Sequence, residues 1–103
     1  MYSNKCNVNI LTDLMIQHGI NTVVMCPGSR NTPLLNNFNE SPNFQCFSVT
    51  DERSAGFYAL GLAQMAKRKV AVCVTSGSAL LNLLPAVAEA FYHRVSFLVM
   101  CAV

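Results

Sequence analysis

Val70-Ala71-Val72-Cys73-Val74 is an unbroken apolar run, rich in β-branched residues, with no polar residue on either alternate face. A strand with one wet face alternates apolar and polar residues, so a strand without alternation is covered on both sides. Helices on both faces of a parallel sheet provide that cover, and the rest of the chain alternates accordingly. Val8, Ile10, Leu11, Leu14, Met15 and His18 recur at helical spacing, and Gly19 stops them. Thr22–Met25 reads as a strand broken at Cys26-Pro27-Gly28-Ser29-Arg30. Asn31 or Thr32 then caps a short helix with Pro33 in its first turn and Leu34, Leu35 and Phe38 on one side. Asn39–Asn43 reads as a loop and Phe44–Val49 as a strand. A helix over about 52–66 carries Ala55, Ala59, Leu62 and Ala66 on one side, with Tyr58 and Met65 beside them.

After Thr75-Ser76-Gly77-Ser78 a helical run reaches about residue 91. Pro85 lies within it and removes a backbone donor, so the helix either kinks there or restarts with Pro85 in its first turn. Val95–Val103 makes a fourth apolar strand. The predicted fold is α/β, a three-layer open parallel sheet. An apolar strand at the end of the chain leaves an unpaired edge, which is the expectation for a partial domain of a longer protein.

Apolar types make up 52% of the 103 residues and charged types 12%, against a usual charged share of about 25%. Such a chain hides both sheet faces or hides surface against a partner. A net charge of +2 is too small for a nucleic-acid footprint. Lys67-Arg68-Lys69, the single basic run, falls where a helix hands over to a strand and reads as a solvated helix end. No stretch approaches the roughly 18 apolar residues of a membrane span, and Met1–Lys5 lacks the apolar core of a secretory signal, so a cytoplasmic location is expected. Cys6, Cys26, Cys46, Cys73 and Cys101 show no C-x-x-C spacing, which suits small buried thiols rather than disulfides or a metal site. Of the five, only Cys26 sits in a loop where chemistry is plausible.

In a parallel sheet, ligands gather outside the carboxyl ends of the strands. Three segments should meet there: Cys26–Arg30, Thr50–Arg53 and Thr75–Ser78. Neither G-x-x-x-x-G-K nor G-x-G-x-x-G occurs in them. Thr75-Ser76-Gly77-Ser78 reads as a helix cap or as backbone donors for an anion. Gly56 and Gly61 read as close packing of helix on sheet. Glu52 opens an apolar helix on the face of Ala55, Ala59 and Leu62, which turns its carboxylate toward the sheet. Two readings stay open: a first-turn Glu favoured by the helix dipole, or a carboxylate whose proton affinity is raised in an apolar cleft for proton transfer. Arg53 would oppose that rise if it turned inward. Arg30 offers a planar fork for a substrate carboxylate, with a surface ion pair as the competing use.

Cys26-Pro27-Gly28-Ser29-Arg30-Asn31-Thr32-Pro33-Leu34, Thr50-Asp51-Glu52-Arg53-Ser54-Ala55-Gly56-Phe57 and Val74-Thr75-Ser76-Gly77-Ser78-Ala79, with Asn82-Leu83-Leu84-Pro85-Ala86, occur in that order. Together they resemble the 2-succinyl-5-enolpyruvyl-6-hydroxy-3-cyclohexene-1-carboxylate synthase family of menaquinone biosynthesis, transferases that depend on thiamine diphosphate. The resemblance covers most of residues 8–102 and reaches only the start of such a protein. It implies that residues 1–103 form a partial N-terminal pyrimidine-binding domain, the remaining domains being absent. It implies that Glu52 contacts N1′ of the aminopyrimidine and promotes its imino tautomer. Ser29 and Arg30 match the pair that binds isochorismate, while Thr75, Ser76 and Gly77 would line the adjacent cofactor pocket. The implied reaction decarboxylates 2-oxoglutarate and transfers the succinyl-semialdehyde unit to isochorismate. Thiamine diphosphate and Mg2+ would be completed by the absent diphosphate-binding domain of another subunit, in a homodimer or homotetramer.

Two positions depart from the family pattern. Where the family has Thr-Ala-Asp-Arg-Pro after the fourth strand, this chain reads Cys101-Ala102-Val103. Ser54 and Ala55 stand where Gly and Leu are common. The chain by itself is expected to be inactive. Alternatives are another thiamine-diphosphate enzyme, of the 2-oxoacid decarboxylase or acetohydroxyacid-synthase kind, and a non-catalytic α/β assembly module.

Overall fold

The computed structural model describes residues 4–102. Nine elements follow one another: α1 (Cys6–Gln17), β1 (Thr22–Met25), α2 (Thr32–Glu40), β2 (Gln45–Ser48), α3 (Glu52–Met65), β3 (Val70–Thr75), α4 (Ser78–Leu81), α5 (Leu84–His93) and β4 (Leu98–Ala102). The four strands form one sheet in the order β2-β1-β3-β4. Every pairing is parallel, with Val24 opposite Phe47 and Val72, and Cys73 opposite Met100.

The predicted three layers are present, and β3 shows why its sequence lacks alternation. Val70, Val72 and Val74 point with Val24 and Cys26 into a core closed by Ala55, Ala59, Ala79 and Leu83. Ala71 and Cys73 point the other way, with Val23 and Met25, against Met15, Leu35 and Phe38. So α1 and α2 cover one face, and α3 with the α4–α5 segment covers the other.

Element ends have local causes. Gly19, at φ +74°, closes α1. Ile20 N donates to Met15 O and Gly19 N to Ile16 O, the paired bonds of a left-handed helix terminus. Asp51 caps α3, its carboxylate accepting from Ser54 N at 3.0 Å and Ser54 Oγ at 2.7 Å. Those bonds from Ser54 hold the Asp51 carboxyl below its ordinary range. Of the two readings for Pro85, the restart holds: α4 ends at Leu81 and α5 begins with Pro85 in its first turn.

Several expectations are corrected. Asn39 and Glu40 continue α2 instead of looping, because Ser41 N still bonds to Asn37 O at 3.1 Å. Ser41 then turns extended before Pro42, which bars further helix. Strand β4 begins at Leu98, since Val95 N is spent closing α5 on Ala90 O; its expected last residue, Val103, lies outside the described residues. On α1, Ile10 and Leu14 are exposed while Thr12 is buried. Beside the apolar packing of Met15 and Leu11, α1 meets α2 through a polar contact: Asn37 Nδ2 donates to Asn9 Oδ1 and to Thr12 Oγ1, both at 3.1 Å. Met65 and Ala66 are exposed at the end of α3, leaving Ala55, Gly56, Ala59 and Leu60 as its buried residues. Of the basic run, Lys69 Nζ donates to His18 O at 3.1 Å, and Arg68 donates to Gln45 Oε1.

The two helix glycines do different things. A Cβ on Gly56 would meet Ala86 Cβ at 2.9 Å and Leu83 Cδ2 at 3.2 Å. Gly56 is therefore a close approach of α3 to α5 rather than to the sheet, while Gly61 has nothing within 4 Å of such an atom. Gly61→Ala should raise unfolding free energy by about 0.5–1 kcal/mol, the helix-propensity gain. Gly56→Ala should lower it despite the same gain, because overpacking costs about 1–3 kcal/mol. Urea midpoints of the two variants against the parent chain decide this, and shifts of the same sign would refute it.

Candidate active site

Because the strands are parallel, the ends of β1, β2 and β3 share one rim. From β1 the chain steps outward to β2, then crosses back to β3 on the other side of β1. That reversal places a topological switch point between β1 and β3, where α/β sheets open a crevice for ligands. Cys26–Arg30 flanks it on one side and Thr75–Ser78 on the other.

The two flanking loops touch. A Cβ on Gly28 would lie 2.4 Å from Thr75 Cγ2, so only glycine permits this approach. Gly77 needs its glycine for another reason, since its φ of +72° strains any residue bearing a Cβ. It precedes α4 with no side-chain cap, and Leu80 N donates to its carbonyl. Thr75 and Ser76 are half-buried.

Asn31, expected as a helix cap, is the first residue before α2 but makes no side-chain cap bond. It is completely buried and folds back on the preceding loop. Its Oδ1 accepts from Gly28 N at 3.0 Å, and its Nδ2 donates to Cys26 O at 2.9 Å and to Cys73 Sγ at 3.8 Å. Ser29 and Arg30 ride on the loop so held, both exposed. Arg30 borders a cleft of about 360 Å³ together with Lys5, Asn7, Pro33, Leu34 and Ala102. Among the described residues its guanidinium has no ion pair.

Glu52 is the first residue of α3 and is half-buried, above Ala55 and Ala59, which are fully buried. Among the described residues its carboxylate makes no hydrogen bond or ion pair. Its neighbour Asp51 takes the capping role, so Glu52 is spared for other use. Arg53 is exposed. The Cys26 thiol is pushed up to about 11, first by burial and then by the charges of Glu52 and Asp51. That effect marks the carboxylates as neighbours of the β1 end. A buried thiol kept protonated is not a nucleophile at neutral pH.

A second cleft, of about 370 Å³, opens at the opposite rim among Asn21, Thr22, Pro42, Asn43, Phe44, Gln45 and Arg68. It carries no carboxylate, and its one charge is engaged with Gln45. The chemistry-bearing groups lie at the carboxyl rim. The sequence did not disclose the Asn31 fold-back, because Asn before a helix looks the same whether it caps forward or staples backward. The Asp51 cap was readable from Asp and Ser three residues apart.

A parallel α/β domain with polar loops gathered at its switch point is built to bind a small polar ligand. The chain belongs to the family described as thiamine pyrophosphate enzyme, N-terminal TPP binding domain, which matches residues 8–103. It is 55% identical over 102 residues to the 2-succinyl-5-enolpyruvyl-6-hydroxy-3-cyclohexene-1-carboxylate synthase of Bacteroides fragilis, and 52% identical to that of Bacteroides thetaiotaomicron. In both cases 99% of this chain is covered, and it spans 18% of the relative's length. The crystal structure of benzoylformate decarboxylase from Polynucleobacter necessarius superposes with a TM-score of 0.81 at 25% identity, covering 92% of this chain and 18% of that one. No helix among the described residues is long and apolar enough to cross a membrane.

Proposed function

We propose that residues 1–103 are part of the N-terminal pyrimidine-binding domain of a thiamine-diphosphate-dependent transferase. The whole protein would decarboxylate 2-oxoglutarate and add the succinyl-semialdehyde unit to isochorismate, giving 2-succinyl-5-enolpyruvyl-6-hydroxy-3-cyclohexene-1-carboxylate. The observation that carries this reading is a half-buried Glu52 whose carboxylate has no hydrogen bond or ion pair among the described residues, at the rim where Ser29, Arg30 and the Thr75–Gly77 segment also lie. The high identity to two synthases of that name supports the substrate pair.

When bound, the cofactor supplies a thiazolium that acts as an electron sink, which protein groups cannot provide. Glu52 would hold a proton at N1′ of the aminopyrimidine. Its lack of another bond leaves the carboxylate available for that contact. Thr75, Ser76 and Gly77 would line the adjoining part of the pocket. Arg30 would hold a carboxylate of isochorismate by paired charge-assisted bonds, and Ser29 would add a hydroxyl beside it. Among the described residues no cluster of three or more His, Cys, Asp or Glu is arranged to hold a metal. Mg2+ and the diphosphate are assigned to a diphosphate-binding domain outside this chain, on another subunit of a homodimer or homotetramer. Exposed apolar residues along α4 and α5, among them Leu81, Leu84, Phe91 and Tyr92, support burial in such an assembly. Five free thiols support a reducing, cytoplasmic location.

The test is direct. The full-length protein, supplied with isochorismate, 2-oxoglutarate, thiamine diphosphate and Mg2+, should release carbon dioxide and form the succinylated product in equal amounts. Folded protein that forms no such product would overturn the assignment. Decarboxylation without transfer would point instead to a 2-oxoacid decarboxylase of the same superfamily.

A further inference from the structure

We propose that Asn31 is a positioning residue: its buried amide fixes the Cys26–Arg30 loop against β3 and thereby sets where Ser29 and Arg30 meet the acceptor substrate. The proposal rests on the reading of Ser29 and Arg30 as the acceptor site.

The loop's first residue is tied to β3 by Cys26 N, which donates to Cys73 O at 2.9 Å; beyond it the loop's own residues offer little. Pro27 has no backbone N–H to offer, and Ser29 and Arg30 are exposed. Against that, the Asn31 side chain has no solvent exposure and spends both ends on its surroundings. It closes the loop on itself through Gly28 N and Cys26 O, and it reaches β3 through Cys73 Sγ. Thr32 Oγ1 donates to Gly28 O at 2.9 Å, so both polar groups of the Gly28 backbone are occupied. Gly28 in turn sits against Thr75 with no room for a Cβ. The amide therefore links the two sides of the switch-point crevice: the loop carrying Ser29 and Arg30, and the strand leading to Thr75, Ser76 and Gly77. A side chain bound only to local backbone would brace the loop alone. The contact with Cys73, 42 residues away, ties it to the sheet.

The experiment uses the full-length protein. Asn31→Ala removes the three side-chain bonds of Asn31, and Asn31→Asp keeps an acceptor for Gly28 N while losing the donor to Cys26 O. Hydrogen exchange of the 26–31 segment and KM for each substrate are measured in parallel. Losing these bonds should speed loop exchange roughly tenfold or more in Asn31→Ala, and at least as much in Asn31→Asp, whose buried carboxylate would face the Cys26 carbonyl. KM for isochorismate should rise about tenfold, while KM for 2-oxoglutarate stays within about twofold. Equal rises in both KM values, together with a general fall in protection, would mean a merely structural residue and overturn the proposal. Faster loop exchange with both KM values unchanged would overturn it too, as would wild-type loop protection in both variants. If the wild-type protein lacks acceptor chemistry altogether, the functional reading fails by itself, and the exchange measurement still judges the clamp.

Discussion

Glu52→Gln in the full-length protein should slow exchange of the cofactor's thiazolium C2 proton by about 10²–10⁴-fold, the usual contribution of a positioned acid–base group. The fold should survive. Glutamine has nearly the same shape, Asp51 rather than Glu52 caps α3, and no described bond of Glu52 would be lost. What glutamine lacks is a carboxylate able to carry a proton at N1′. Proton exchange followed by NMR, with cofactor and Mg2+ present and both substrates withheld, isolates this step from Ser29 and Arg30. Thermal unfolding monitored alongside should match the wild type. Exchange at the wild-type rate would reduce Glu52 to a helix-opening residue favoured by the dipole, the less demanding of its two readings.

What the sequence disclosed follows from where the physics is local. Strand β3 was legible because burial on both faces leaves no polar residue, and a run such as Val70–Val74 suits no strand with a wet face. The α4–α5 break was legible as one of two outcomes, since Pro85 must forfeit its backbone donor wherever it sits. The rim location of Glu52 came from parallel topology, which puts every strand's carboxyl end on the same side. The rest depended on which surfaces meet. Of the apolar stripe expected on α1, Leu11 and Met15 do face the core, whereas Ile10 and Leu14 are exposed and Thr12 is buried on Asn37. A polar contact between two helices leaves no periodic mark. Gly56 and Gly61 look alike in sequence, and only the proximity of Ala86 and Leu83 separates them. Asn31 fits a cap by position, whereas its bonds run backward into the loop and across to Cys73.

Among the thiols, exposed Cys6 should be alkylated at least on the order of 10² times faster than buried Cys26 or Cys73 in the native chain at pH 8. Burial pushes both Cys26 and Cys73 up to about 11, with the charges of Glu52 and Asp51 adding at Cys26. A thiol near 11 is ionised in only about one molecule in a thousand at pH 8. Cys6 is exposed, and Cys46 and Cys101 are half-buried and should fall between the extremes. Iodoacetamide labelling resolved by peptide mass spectrometry tests the order, and labelling in urea should erase it.

The same shifts fix a pH dependence. The folded state holds these protons more tightly than the unfolded one, so the stabilisation is complete below the ordinary thiol range and is lost as pH rises toward about 11. The urea midpoint should accordingly drop between roughly pH 9 and 11, and Cys73→Ser should not be a neutral control, since it replaces the completely buried thiol that Asn31 Nδ2 reaches with a smaller hydroxyl. Native-state labelling of Cys26 as fast as Cys6 would mean that the rim is open and the thiolate accessible. Slow labelling leaves Cys26 as packing at the end of β1.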